Sequence, residues 1–132
     1  ISLALEYVQN QADKIFIYAI ADSLYSFNLF YEIKGNIVHK HLVNDYLPKD
    51  SHVDISLQTA LLKEGIKDVE AMIDICQEYN REHPTEMWLI YDVQKNSLDS
   101  HYSYEERYDK DEELLPRLEF EKWFEEVKDK QL

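Results

Sequence analysis

Apolar and polar positions along the 132-residue chain change period several times, and each change marks an element. Leu3, Tyr7 and Val8 recur at helical spacing and predict a short first helix that ends near Asp13. Residues Ile15–Ala21 form an almost unbroken apolar run, the pattern of a strand covered on both faces. Tyr25, Phe27, Leu29, Tyr31 and Ile33 then alternate with Ser26, Asn28 and Glu32, which predicts a half-buried strand. Gly35 and Asn36 both tolerate positive φ, so they predict a two-residue hairpin turn into a third strand over Ile37–Val43.

The period then lengthens. Ser51 and Asp54 have capping-box spacing and predict the start of a long helix running to about Glu82, with Pro84 as its stop. Leu57, Leu61, Val69, Met72, Ile73, Cys76 and Tyr79 share one stripe of it. Gly65 lies on the same stripe, where a missing side chain permits close approach of a strand at a cost of about 1 kcal/mol in helix propensity; a kink there is the competing reading. Met87–Val93 and Leu98–Tyr104 predict a second hairpin around Lys95, Asn96 and Ser97. Trp88 and Ile90 share one face of it, and Leu98, Tyr102 and Tyr104 share one face of the return strand. After a charged loop, Pro116 suits a first helical position, and Phe120, Trp123, Phe124 and Val127 give a closing amphipathic helix with Phe120 and Trp123 turned toward the sheet. Hairpins in place of βαβ units predict an α+β fold: an antiparallel sheet of about five strands with a long central helix and N- and C-terminal helices packed on it. The length suits one domain over residues 1–132, and the scarcity of Gly and Pro gives no linker at which to divide it.

Charge narrows the function classes. Against 14 Lys and Arg stand 27 Asp and Glu, a net charge of -13, on a background apolar enough to fold. The excess runs the length of the chain and is largest over residues 105–132. Nucleic acid and anionic membranes are repelled by such a surface, whereas a basic protein is attracted and its encounter accelerated. Cys76 stands alone, which excludes an internal disulfide, and the absence of an export-type opening favours a reducing cytoplasm. The longest apolar run is far short of a membrane span.

No stretch spells out a reaction. Two glycines cannot build a phosphate-binding loop, and there is no serine nucleophile elbow. His39 and His41 flank Lys40 and, on one strand, project to the same face, a geometry that chelates a metal if a third ligand converges. His52, His83 and His101 fall in other elements and no Cys pair exists, so ordinary strand histidines are the simpler reading and no metal or cofactor is assigned. Asp109, Asp111, Glu112 and Glu113 evoke a calcium loop, but Leu114 and Phe120 occupy the positions that need Gly and Glu. A solvated charge run before a helix is the alternative, and its acidity suits that helix N-terminus. Cys76, on the inner stripe of a helix, reads as a small core residue. Ten tyrosines remain, of which Tyr104 and Tyr108 alternate with acidic side chains; tyrosine offers large contact area with a polar tip, as interfaces favour.

The segment EMWLIYDVQKNSLDSHYSYEERYDKDEELLPRLEFEKW resembles the C-terminal signature of YezG-like immunity proteins: an aromatic-bearing strand, a short turn, a Tyr-rich strand ending in an acidic step, then an Arg and a Trp in the closing helix. The corresponding residues are Trp88, the Tyr102–Glu105 region, Arg117 and Trp123. KIFIYAIADSLYSFNLFYEIKGN is similar to that family's opening strand pair, although the family's second-hairpin Gly and its Trp before the first strand are absent. The resemblance implies an antitoxin that binds and neutralises a secreted polymorphic toxin, often a nuclease. The expectation is therefore a non-enzymatic protein that occludes a basic toxin domain. The contact surface is placed on Tyr104, Glu105, Glu106, Tyr108, Asp109, Asp111, Glu112 and Glu113, with Asp45 and Asp50 as a second candidate. An acidic adaptor for another basic protein is the alternative within binding functions. A small-molecule-binding or metal-dependent enzyme using His39 and His41 is the alternative outside them.

Overall fold

The computed structural model describes residues 11–47, 49 and 57–130. The expected first helix around Leu3, Tyr7 and Val8, the Ser51–Asp54 capping box and the contact candidate Asp50 lie outside the described residues. Five strands, β1 (Lys14–Ala21), β2 (Tyr25–Ile33), β3 (Asn36–His39), β4 (Glu86–Asp92) and β5 (Ser97–Ser103), form one antiparallel sheet in the order β3-β2-β1-β4-β5. The long helix α1 (Gln58–Glu78) packs on one face. A one-turn helix α2 (Arg107–Lys110) leads to α3 (Pro116–Lys130) on the other. This is the α+β architecture the hairpins predict.

The central strand explains the unbroken apolar run. β1 pairs with both β2 and β4, so Ile17 is opposite Leu29 on one side and Leu89 on the other. Every β1 residue after Lys14 is buried, because helices cover both faces and the period-2 alternation has no solvent side to mark. Toward α1 point Ile15, Ile17, Ala19 and Ala21, which join Leu61, Val69 and Ile73 of the helix. Toward α3 point Phe16, Tyr18 and Ile20, in a layer with Phe30, Phe120 and Phe124. Phe16 and Phe30 stack at 4.6 Å between centroids, and Phe30 meets Phe120, Phe124 and Trp123 edge-on at 5.6, 5.1 and 5.1 Å. Offset stacks and edge contacts are the arrangements that ring quadrupoles favour.

At Gly65, α1 packs directly against β2. A Cβ there would meet atoms of the Phe27 ring at 2.1–2.4 Å, so the approach is to an aromatic side chain of β2 and any larger residue must displace it. The ends of the predicted stripe do not face the sheet, since Leu57 and Tyr79 are exposed.

Several boundaries differ from the sequence reading, each for a local reason. The first hairpin turns at Lys34 and Gly35, with φ of 51° and 82°, and Asn36 already pairs with Ile33. Two successive positive φ values match the twist of the flanking strands, and the turn therefore sits one residue earlier than Gly35-Asn36. β3 stops at His39, and Lys40–Asp45 winds into a 3-10 helix in place of the expected strand to Val43, which turns Val43 into the core. The second hairpin pairs Asp92 with Ser97, so Ser97 opens β5 and its loop comprises residues 93–96 with Asn96 at φ 47°. α1 ends six residues before Pro84. Asn80 takes a left-handed φ of 55°, its N–H bonds the Gln77 carbonyl at 3.1 Å, and the Arg81 N–H bonds the Cys76 carbonyl at 2.7 Å. That paired closure is a Schellman motif, which terminates a helix without proline. α3 does begin at Pro116, with Glu119 in its first turn and Lys128 and Lys130 in its last, the charge order the helix dipole favours. No helix among the described residues is long and apolar enough to cross a membrane.

Candidate partner-binding surface

The acidic stretch leaves the sheet at the end of β5 and is tied down before it reaches solvent. The Thr85 hydroxyl donates to the Ser103 carbonyl at 3.1 Å and to that of Glu105 at 2.5 Å, and the Thr85 N–H donates to Ser103 at 2.8 Å. The Asp22 carboxylate, from the turn between β1 and β2, accepts the N–H groups of Tyr108 at 2.9 Å and Asp109 at 3.3 Å. It thereby satisfies donors of the first turn of α2 that have no partner within the helix.

Beneath this segment lies a polar cluster in the α3-side layer. Glu86 is 0% exposed. Arg107 grips it with two bonds, Nε to Oε1 at 2.5 Å and Nη2 to Oε2 at 2.7 Å, and extends Nη1 to Glu119 at 3.1 Å. The Tyr18 hydroxyl donates to Glu86 Oε2 at 2.6 Å and lies 2.9 Å from the Tyr108 hydroxyl. Burial pushes the Tyr18 phenol well above its ordinary range, helped by the hydrogen bond to Glu86. Burial likewise pushes Tyr108 up to about 12. Hydrogen bonding to Glu86 holds the Arg107 guanidinium still more firmly protonated. Both phenols thus stay neutral at physiological pH and the guanidinium stays charged. Neither phenol is thereby poised near neutrality as a base or nucleophile; the cluster's arrangement is that of a strut between β1, β4, α2 and α3.

Of the sequence-predicted contact residues, Glu105, Glu106, Asp109, Asp111, Glu112 and Glu113 are exposed, as is Tyr104 at 45%. Asp111 also accepts the Glu113 N–H at 3.0 Å, which shapes the turn before α3. Tyr108 is a correction. It is 5% exposed and points inward to Tyr18, because one turn of helix places it opposite its acidic neighbours. Asp45 is exposed at the end of the 3-10 helix after β3, so it is attached at the sheet edge opposite β5. It does not join the 104–113 surface through the chain, and Asp50 lies outside the described residues.

His39 and His41 are not on one strand, since the chain leaves β3 between them, yet their rings still stack at 5.4 Å. His39 also stacks on Phe124 at 3.7 Å, with Nε2 at 3.2 Å from Glu121 Oε2. Among the described residues no group of three or more His, Cys, Asp or Glu side chains is placed to hold a metal ion. Burial pulls the His39 imidazole below its usual range; Glu121 opposes this, and His41 and Lys40 reinforce it. The unfolded chain therefore takes up a proton near the ordinary value of 6.5 while the fold still holds the ring neutral. Stability contributed here is full above that value, falls as pH drops through it, and levels off below the folded-state value. We expect the urea midpoint of His39→Gln to change less than that of the parent between about pH 7.5 and about pH 5.5. Parallel pH dependences of the two proteins would contradict this.

Sequence reasoning missed the Tyr18–Glu86–Arg107–Glu119 cluster. Its signals were a carboxylate at the head of an apolar strand and one arginine inside an acidic run, neither of which indicates a partner. Beside the cluster, Trp88 and Trp123 line a cleft of about 300 Å³ whose floor includes Tyr18. No protein-family model matches the chain, and no curated protein is detectably similar to it.

Proposed function

We propose that this protein is an immunity protein that neutralises a basic toxin domain, a nuclease, by stoichiometric binding in the cytoplasm. The observation that carries the reading is the acidic surface at residues 104–113, tied to the sheet through Glu105, Arg107, Tyr108 and Asp109. Its outward charges are carboxylates apart from Lys110, since Arg107 is turned inward onto Glu86 and Glu119. A nuclease must be basic where it grips phosphates, so an acidic surface of fixed shape matches that field and covers the cleft without supplying any chemistry. Anchoring matters because a segment already ordered by Thr85, Asp22 and Glu86 loses little further conformational freedom when a partner docks. The resemblance of residues 86–123 to YezG-like immunity proteins agrees with this reading.

The test is to titrate a basic nuclease toxin domain, sought first in the gene adjoining this one, with the purified protein. Nuclease activity should fall linearly and vanish at one equivalent, with no loss of the toxin's covalent integrity. Full nuclease activity in the presence of excess protein would exclude the proposal. Consumption of toxin by substoichiometric protein would point to an enzyme.

A further inference from the structure

α3 covers the β3 and β2 side of its sheet face and leaves the β4 side open. Trp88 of β4 and Trp123 of α3 flank the resulting cleft, with the Tyr18 ring 5.5 Å from the first indole and 6.4 Å from the second. Glu119 and Glu126 of α3 stand on its wall, and a neighbouring hollow of about 420 Å³ shares both indoles and adds Asp99 and His101 of β5. Two cations also line the cleft: Arg107, whose charge is held by Glu86 and Glu119, and the exposed Lys122, so that with Glu126 and the neighbouring Asp99 the carboxylates around the two hollows outnumber the cations. The cation–ring contacts among the described residues are Arg107 over Tyr108 and Lys128 over Phe124, so neither indole carries a cation.

We propose that the Trp88–Trp123 cleft is the receptor for an arginine side chain of the bound partner. The inference rests on the reading of this chain as a binder of a basic protein and assigns that binding an anchor outside the 104–113 stretch. Two indoles with Glu126 on the cleft wall and Asp99 in the adjoining hollow suit a guanidinium in two ways. The plane stacks on the rings, while the in-plane N–H donors remain free for the carboxylates. Ammonium offers no plane to stack, and an anionic side chain meets both the local carboxylates and the net charge of -13. A half-buried, aromatic-walled slot is also the kind of site in which a few residues carry most of an interface's energy.

Trp88 and Trp123 are the only tryptophans in the sequence, so intrinsic fluorescence reports on this cleft alone. The probe is an acetylated, amidated Gly-Arg-Gly peptide, with Gly-citrulline-Gly as its uncharged counterpart of the same shape. The expected result is a saturable tryptophan signal at millimolar Arg peptide, about five- to tenfold weaker for citrulline and weakened by salt. Asp99→Asn with Glu126→Gln, both at exposed positions, should leave the thermal unfolding curve in place and reduce the affinity for the Arg peptide by a similar factor. Equal responses to the two peptides, or an unchanged affinity in the double variant, would overturn the proposal. Saturation of the cleft by a protein that leaves the toxin active would support this site while refuting the immunity reading. Neutralisation of the toxin with no arginine-specific signal would do the reverse.

Discussion

Arg107→Ala is expected to lower the folding stability by about 3–5 kcal/mol, although the residue lies in a charged run at the surface. The cost does not come from lost packing. It arises because Glu86 is 0% exposed and has lost its bidentate partner, leaving a carboxylate buried with only the Tyr18 hydroxyl to compensate it. Replacing both members, Glu86→Leu with Arg107→Leu, should cost less than Arg107→Ala alone, because a buried ion pair exchanged for apolar groups leaves no charge unpaired. The two variants separate a buried-charge penalty from the simple loss of a contact, since simple contact losses would make the double variant at least as damaging. Urea unfolding at neutral pH is the measurement. A midpoint for Arg107→Ala within error of the parent would show that Arg107 does not hold Glu86 in solution.

The same cluster shows where sequence reading stops. Strand and helix identities follow from periodicity, because a covered central strand, a half-buried strand and an amphipathic helix impose different spacings on apolar residues. Ile15–Ala21, Tyr25–Ile33 and the Phe120–Val127 stripe each carried their element in plain view. The errors fell where backbone conformation, and not burial, decides the outcome. Asn80, and not Pro84, ends α1 by adopting a left-handed φ, and Lys34 accepts positive φ in a turn where Asn36 is the more obvious candidate. The chain after His39 winds into a 3-10 helix where a strand to Val43 was expected, and its pairing with β2 ends at the Phe30–His39 pair.

For the binding surface, the acidity of residues 105–113 was legible as composition, and its exposure follows from charge alone. Tyr108 was not. In a list of alternating tyrosines and carboxylates its side chain looks like its neighbours', and only the turn of α2 sends it to Tyr18 while they face water. The ion pair of Glu86 with Arg107 and the cleft shared by Trp88 and Trp123 join residues from β4 to residues beyond β5, and spacing carries no information about meetings of that kind.

The second large effect concerns the proposed contact surface. Changing Asp109, Asp111, Glu112 and Glu113 to Lys exchanges four exposed negative charges for four positive ones at the segment that Asp22 and Thr85 hold in place. These side chains bury little, so the fold should tolerate the change to within about 1 kcal/mol apart from the Asp111 bond to the Glu113 N–H. Steering of a basic toxin should suffer far more, with a loss of about 10- to 100-fold in association rate at low salt, because rim charges act chiefly on encounter. Protection of cells expressing the toxin should weaken in parallel. The decisive measurement is stopped-flow association of the toxin domain with the parent and the four-lysine variant across a salt series. The account predicts a fast parent rate that falls as salt rises and a slow variant rate that does not, the two converging at high salt where charge is screened. Equal rates at low salt with equal protection would contradict it and remove residues 104–113 from the contact surface.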